Sequence, residues 1–472
     1  MFMGNNKSTT AQNNMVENYK QSELSQLFNM TETENGDVAY KSHNNKLVDI
    51  LFKCEYYTKH PEELQIGTTK LEKLFSMFIR DPRYGLGYKN VGRRLMALSG
   101  VSPDNVVKAG SFKDFRECEM FFNGMFEIWQ SFIKSEIEKG NELAKKWVPR
   151  YSSKNLMLAR RLAKAWGMNK QQYGHFVKCD TTENKLSRHR TDEIVFSHVP
   201  SKAMLKYYNR FLKGEDTAER FAEYLDSVRK GEAKLNVSVT TVYDIYRKSF
   251  EEDFDPDLFF SKIEKISGSW IPIVDTSGSM LDENDSMGKA LSIGHYLGKC
   301  STYCPNQVLS FSSRPKLITL GGEKPVYDFC SRSLPNKDSQ YIREIRSMYT
   351  GDCSNTDFGA VMDILSNLKE EFPEYLVVLS DMQFDRGSGN RKDSLMSEWR
   401  RKGIMTKIVW WNFNSRGSNV PEQDEWGNVF LSGYSPMLLK YLDSGFNSEE
   451  FLMKLLSEYA KNIYQNKYLI LC

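Results

Sequence analysis

Between Trp270 and Leu431 the sequence alternates six short β-rich runs with four amphipathic stretches, and few folds accept that pattern. The runs are Trp270–Asp275, Gln307–Ser312, Leu317–Leu320, Tyr375–Ser380, Lys407–Phe413 and Val429–Leu431. The amphipathic stretches are Met287–Cys300, Tyr341–Met348, Asp357–Leu368 and Leu395–Lys402. A run that is apolar at every position, as Tyr375-Leu-Val-Val-Leu379 is, leaves no face for water and must be covered on both sides. Helices alternating with strands supply that cover, because each crossover lays a helix on the sheet. The pattern predicts a doubly wound, parallel α/β domain, in which ligands bind beyond the carboxyl ends of the strands.

Oxygen donors are concentrated at those ends. The first run leads into Asp275-Thr-Ser-Gly-Ser279, where Asp275, Ser277 and Ser279 alternate along an extended turn and can share one direction. The run Tyr375–Ser380 is followed at once by Asp381, and Thr356 stands where a loop enters the stretch Asp357–Leu368. Two carboxylates and three hydroxyls form a hard donor set suited to Mg²⁺ or Mn²⁺. Hydroxyls ligate without adding charge, so the ion keeps positive charge and an open position for an acidic group of a partner. A lone Asp-x-Ser-x-Ser serves equally well as an Asp turn or a helix cap. The apolar run before it, with Thr356 and Asp381 at neighbouring ends, selects the metal reading. No base or nucleophile accompanies these residues, and His295 falls where a packed side chain is expected. The site is therefore expected to bind and not to catalyse.

The first half of the chain has a different character. Residues 1–250 hold 40 Lys and Arg against 30 Asp and Glu, a net of +10, whereas the remainder carries −7. Such asymmetry assigns a polyanion partner to the basic half. Segments such as Glu62–Arg80 and Lys113–Lys139 place apolar residues at helical spacing, with Gly- and Pro-containing breaks between. The expected organisation is a polar, partly disordered segment at 1–45, an all-α repeat-like region at 46–255, a linker at 256–268 introduced by the acidic run before Pro256, the α/β domain at 269–464 and a tail at 465–472. Between Lys145 and Lys213 there are 16 basic residues and four acidic ones, interleaved with Trp147, Tyr151, Trp166, Tyr173 and Phe176. Lys145, Lys146, Arg150, Lys154, Arg160, Arg161, Lys164, Arg188 and Arg190 are candidate contacts to an RNA backbone, and the aromatics are candidate stacking partners for unpaired bases. The same residues also suit a merely solvated helix face over an aromatic core.

Asp275-Thr-Ser-Gly-Ser279, Asn355-Thr-Asp-Phe-Gly359 and Val378-Leu-Ser-Asp381 resemble the three parts of the metal-ion-dependent adhesion site of von Willebrand A domains. The resemblance spans about 200 residues from Ser269 onward. It implies a six-stranded doubly wound sheet, Rossmann-like, with Asp275, Ser277, Ser279, Thr356 and Asp381 around Mg²⁺ or Mn²⁺ and a partner's carboxylate completing the sphere. A helical region followed by such a domain is similar to the layout of the Ro (TROVE) ribonucleoproteins, whose helical rings bind small noncoding RNAs. A nearer resemblance is to an uncharacterised group of Ro-like proteins. Asp81-Pro-Arg-Tyr-Gly85, Trp147-Val-Pro-Arg150, Val199-Pro-Ser-Lys-Ala-Met204, Tyr207-Tyr-Asn-Arg-Phe211, Arg229-Lys-Gly-Glu-Ala233 and Leu431-Ser-Gly-Tyr-Ser435 carry it. The helical region here, at roughly 200 residues, is shorter than a full Ro ring.

The leading expectation is a non-enzymatic Ro-like RNA-binding protein whose metal site recruits a protein partner. The alternative is an interaction or assembly module, an adaptor or virion component, without RNA. A metal-assisted hydrolase or nuclease is a more distant third. No run of about 18 apolar residues predicts a membrane span. The polar start lacks a secretory core. Eight cysteines without a CxxC pair suit reduced thiols, so the expected location is cytoplasmic.

Overall fold

The computed structural model describes residues 60–82, 84–117, 126–311, 314–322, 339–349, 358–368, 371–381, 388–413 and 428–434, with a few positions at 30–32, 38–40 and 50–58 and Tyr459. The chain divides into two compact units, with the boundary between Glu264 and Lys265. A short antiparallel pair, β1 (Met30–Glu32) and β2 (Val38–Tyr40), is grouped with the unit that follows Glu264.

The first unit is helical. Its longer helices are Lys70–Arg80, Lys89–Ser99, Phe126–Glu138, Leu156–Ala165, Ser201–Lys213 and Ala218–Lys230. Their ends follow local chemistry. Thr69 and Glu72 form a reciprocal capping box at the start of Lys70–Arg80, and Gly100 and Gly231 close two helices in the left-handed conformation. The Glu72 carboxylate also accepts from Gly67 N–H, so the expected continuous helix Glu62–Arg80 is divided into a 3-10 turn at Pro61–Glu63 and a helix from Lys70. Inside the unit, Asp114 is fully buried and receives both Arg80 (2.9 and 3.0 Å) and Arg93. Pro256 does not open a linker. It occupies the first turn of a helix, Pro256–Ser261, capped by Asp255, because a residue at that position needs no N–H. Phe254 and Phe259, both buried, hold this segment against Tyr208.

The second unit is the expected α/β layer structure. Six strands, β3 (Trp270–Asp275), β4 (Gln307–Phe311), β5 (Leu317–Thr319), β6 (Tyr375–Ser380), β7 (Lys407–Asn412) and β8 (Val429–Ser432), form one sheet in the order β5-β4-β3-β6-β7-β8. All neighbours are parallel except the edge pair β4–β5. Alternate residues of β3 serve opposite faces. Ile271 and Ile273 join Leu376, Val378, Ile408 and Trp410 beneath the helices Phe358–Leu368 and Ser388–Arg401. Trp270 donates to Leu297 O (2.9 Å) on the other face, in the helix Ser286–Cys300. That helix lies unusually close to β3 at Gly294, where an added Cβ would sit 2.4 Å from Val274 Cγ2. Among the described residues no helix is long and apolar enough to cross a membrane.

Candidate functional site

Strands β3 and β6 are neighbours, and their following helices, Ser286–Cys300 and Ser388–Arg401, lie on opposite faces of the sheet. The chain therefore diverges at the carboxyl ends of these two strands, leaving the crevice where such sheets hold ligands. Asp275 is the last residue of β3, and Asp381 follows β6 directly. Both side chains are 1% exposed. Ser277 and Ser279 are half-buried, with hydroxyls 3.0 Å apart. Ser277 N–H donates to Asp275 Oδ1 (2.9 Å), folding the loop back over the carboxylate. Thr356 lies outside the described residues.

One contributor was not singled out from the sequence. Ser380 is buried and donates its hydroxyl to Asp275 Oδ2 at 2.6 Å across the β3–β6 pair. Its place one residue before Asp381, at the end of an apolar strand, was the available signal. After the loop, Asp282 accepts from both the N–H (2.9 Å) and hydroxyl (2.8 Å) of Ser286 and so starts the next helix. The loop between site and helix contains a 3-10 turn, Gly278–Met280.

Burial pushes the Asp275 carboxyl up, and the negative charge of Asp381 pushes it further, whereas the Ser380 and Ser277 donors pull it down; the outcome is about 6. Two buried carboxylates that repel one another beside two convergent hydroxyls form an arrangement a divalent cation would relieve. All four groups are hard oxygen donors, so the residues present fit Mg²⁺ or Mn²⁺. His295 is fully buried; its Nε2 lies 2.6 Å from Glu344 Oε2, on the helix Gln340–Ser347. Among the described residues, the one cluster of three His, Cys, Asp or Glu side chains with converging ligand atoms is His60, Glu62 and Glu63, a run of sequence neighbours at an exposed turn.

The candidate RNA contacts fall into two groups. Lys154, Arg160, Arg161, Lys164 and Arg188 are exposed. Arg161 lies over the Phe126 ring (3.7 Å), while Lys154, Arg160, Lys164 and Arg188 make no side-chain hydrogen bond or ion pair among the described residues. The remainder are engaged. Lys145 pairs with Glu142 (2.8 Å), Lys146 with Glu183 (2.5 Å) and Arg190 with Glu193 (3.1 Å) and Asp180. Arg150 donates to Val177 O, to Lys145 O (3.1 Å) and to Cys179 Sγ (3.2 Å), tying three segments together. Trp166 and Tyr173 are buried and stacked on each other at 5.6 Å, with Trp166 N–H on Gln130 and Tyr173 O–H on Pro149 O. They are core residues and offer no stacking face to a base.

Three comparisons bear on this arrangement. Residues 269–467 match the family described as "Domain of unknown function (DUF7788)", and residues 175–267 match "Domain of unknown function (DUF2828)". The matches meet within three residues of the boundary between the structural units. The chain is 25% identical over 521 residues to the uncharacterized protein L728 of Acanthamoeba polyphaga mimivirus, covering 92% of this chain and 89% of that protein. The crystal structure of the Deinococcus radiodurans RO (RSR) protein is similar at a TM-score of 0.35 and 9% identity, over 83% of this chain and 87% of that one.

Proposed function

We propose that this chain is a non-catalytic, Ro-like RNA-binding protein in which a von Willebrand A-type unit carries a metal-dependent site for a protein partner. The observation that carries the proposal is the convergence of Asp275, Asp381, Ser277 and Ser279 where the chain diverges between β3 and β6. Asp275 and Asp381 would hold Mg²⁺ or Mn²⁺ together with the two serine hydroxyls, and Thr356 is the fifth candidate by resemblance. When bound, the ion supplies a Lewis-acidic position for an aspartate or glutamate of the partner. Ser380 orients the Asp275 carboxylate from behind, and Ser277 N–H fixes its other oxygen.

The RNA part rests on the exposed cations of the helical unit. Lys154, Arg160 and Lys164 lie exposed on one helix and its approach and make no side-chain hydrogen bond or ion pair among the described residues, and such side chains bind phosphates with release of counterions. The test is filter binding of mixed-sequence RNA to the full chain at about 50 and about 200 mM salt. The proposal expects saturable binding that weakens steeply between the two. Absence of binding at the lower salt overturns the RNA part.

A further inference from the structure

The helical unit also holds a groove whose own chemistry is more specific than a charged surface. It has a volume of about 460 Å³ and is lined by Lys146, Arg150, Lys178, Glu183, Arg188 and Gly174, among others. Glu183, the one acidic lining residue, is paired with Lys146. Three cations remain. Arg150 is held in place by three acceptors, which leaves two of its five N–H donors unused. Lys178 and Arg188 are exposed and make no side-chain hydrogen bond or ion pair among the described residues. Its described lining contains no aromatic ring, so nothing in the groove would stack on a base.

We propose that this groove binds a terminal phosphomonoester of an RNA strand, with Arg150, Lys178 and Arg188 as the phosphate ligands. The inference rests on the RNA reading above and deepens it. A monoester carries about −1.5 to −2 charge at neutral pH where an internal diester carries −1, so three converging cations discriminate in favour of an end. Internal phosphates of the same strand would lie along Lys154, Arg160 and Lys164. The Arg150 guanidinium, held by its protein acceptors, supplies a fixed positive charge, and the unengaged Lys178 and Arg188 close around the phosphate oxygens.

The experiment is fluorescence-anisotropy titration of the full-length protein with one short single-stranded RNA in three forms: 5′-phosphorylated, 3′-phosphorylated and fully dephosphorylated. One phosphorylated form is expected to bind roughly tenfold more tightly than the dephosphorylated strand. That preference should vanish in the Lys178→Gln/Arg188→Gln double variant. It should also vanish in Gly174→Asp, where the added side chain meets open space and places a carboxylate in the groove. Unchanged far-UV circular dichroism identifies the variants as folded. Equal affinity for all three RNAs overturns the groove assignment and leaves the RNA reading intact. Loss of binding to every RNA at low salt overturns both. Tighter binding of a phosphoserine peptide than of any phosphorylated RNA overturns the assignment in favour of a phosphoprotein.

Discussion

Replacing Glu344 with glutamine removes a buried anion from the clamp that holds the helix following the Asp275–Ser279 loop. Glu344 is 5% exposed and accepts from His295 (2.6 Å), Gln340 (2.8 Å) and Lys299 (2.9 Å). Burial alone would raise its pKa, but the hydrogen bonds from His295 and Lys299 and the charge of His295 outweigh that and bring it down from 4.5 to about 2. A difference of that size corresponds to about 3 kcal/mol of stability. Because the folded-state value lies below the unfolded one, this contribution is fully present above about pH 4.5 and is lost as pH falls toward 2. Glutamine keeps the shape but has no charge to lose. Glu344→Gln should therefore cost about 3 kcal/mol at pH 7 and only about 1 kcal/mol near pH 3. Urea unfolding of wild type and variant across this range, followed by circular dichroism of the α/β unit's transition, measures the difference. A deficit that stays constant from pH 7 to pH 3 would refute the reasoning, since it would show that Glu344 is not held as a carboxylate.

Other perturbations test separate parts of the structure. Gly294→Ala would place a methyl 2.4 Å from Val274 Cγ2 and should destabilise the α/β unit by about 1–3 kcal/mol despite alanine's better helix propensity; denaturant midpoints decide, and a neutral result would show that helix and strand separate freely. Asp114→Ala leaves the buried Arg80 and Arg93 without their shared carboxylate and should cost about 3–5 kcal/mol in thermal or urea unfolding of the helical unit; a loss under about 1 kcal/mol would show that those guanidinium groups find water. Neutralising Lys154, Arg160 and Lys164 together to glutamine should reduce the slope of log affinity for single-stranded RNA against log salt by about 2, and an unchanged slope removes these residues from the interface.

How much of this was legible in the sequence differs from element to element. The apolar run Tyr375–Leu379 leaves no face for water, so β6 and its partners on either side could be anticipated to within a residue or two. The helix Ser388–Arg401 is longer than the stretch Leu395–Lys402 because Ser388-Gly-Asn-Arg-Lys-Asp393 has no apolar periodicity to show. Pro256 is ambiguous in one dimension: it ends a helix behind it and starts one ahead, and only the packing of Phe254 and Phe259 selects the second. The aromatics among the basic residues illustrate the same limit. A tryptophan near arginines looks alike whether it faces solvent or core, and burial of Trp166 and Tyr173 is a property of the folded helices. At the candidate metal site, Asp275, Ser277 and Ser279 announce themselves by spacing. Ser380 is identified by its 2.6 Å bond to Asp275, which depends on the register of two strands about a hundred residues apart.

The most direct test of the account is isothermal titration of Mg²⁺ and Mn²⁺ into the full-length protein, repeated with Asp275→Ala and Asp381→Ala. The account predicts saturable binding to one site in the wild type, lost in both variants while circular dichroism is retained. It also predicts that saturating ion at a hundred times its dissociation constant stabilises the wild type alone by about 2.7 kcal/mol. No binding of either ion, or binding unchanged by loss of Asp275 and Asp381, would contradict it.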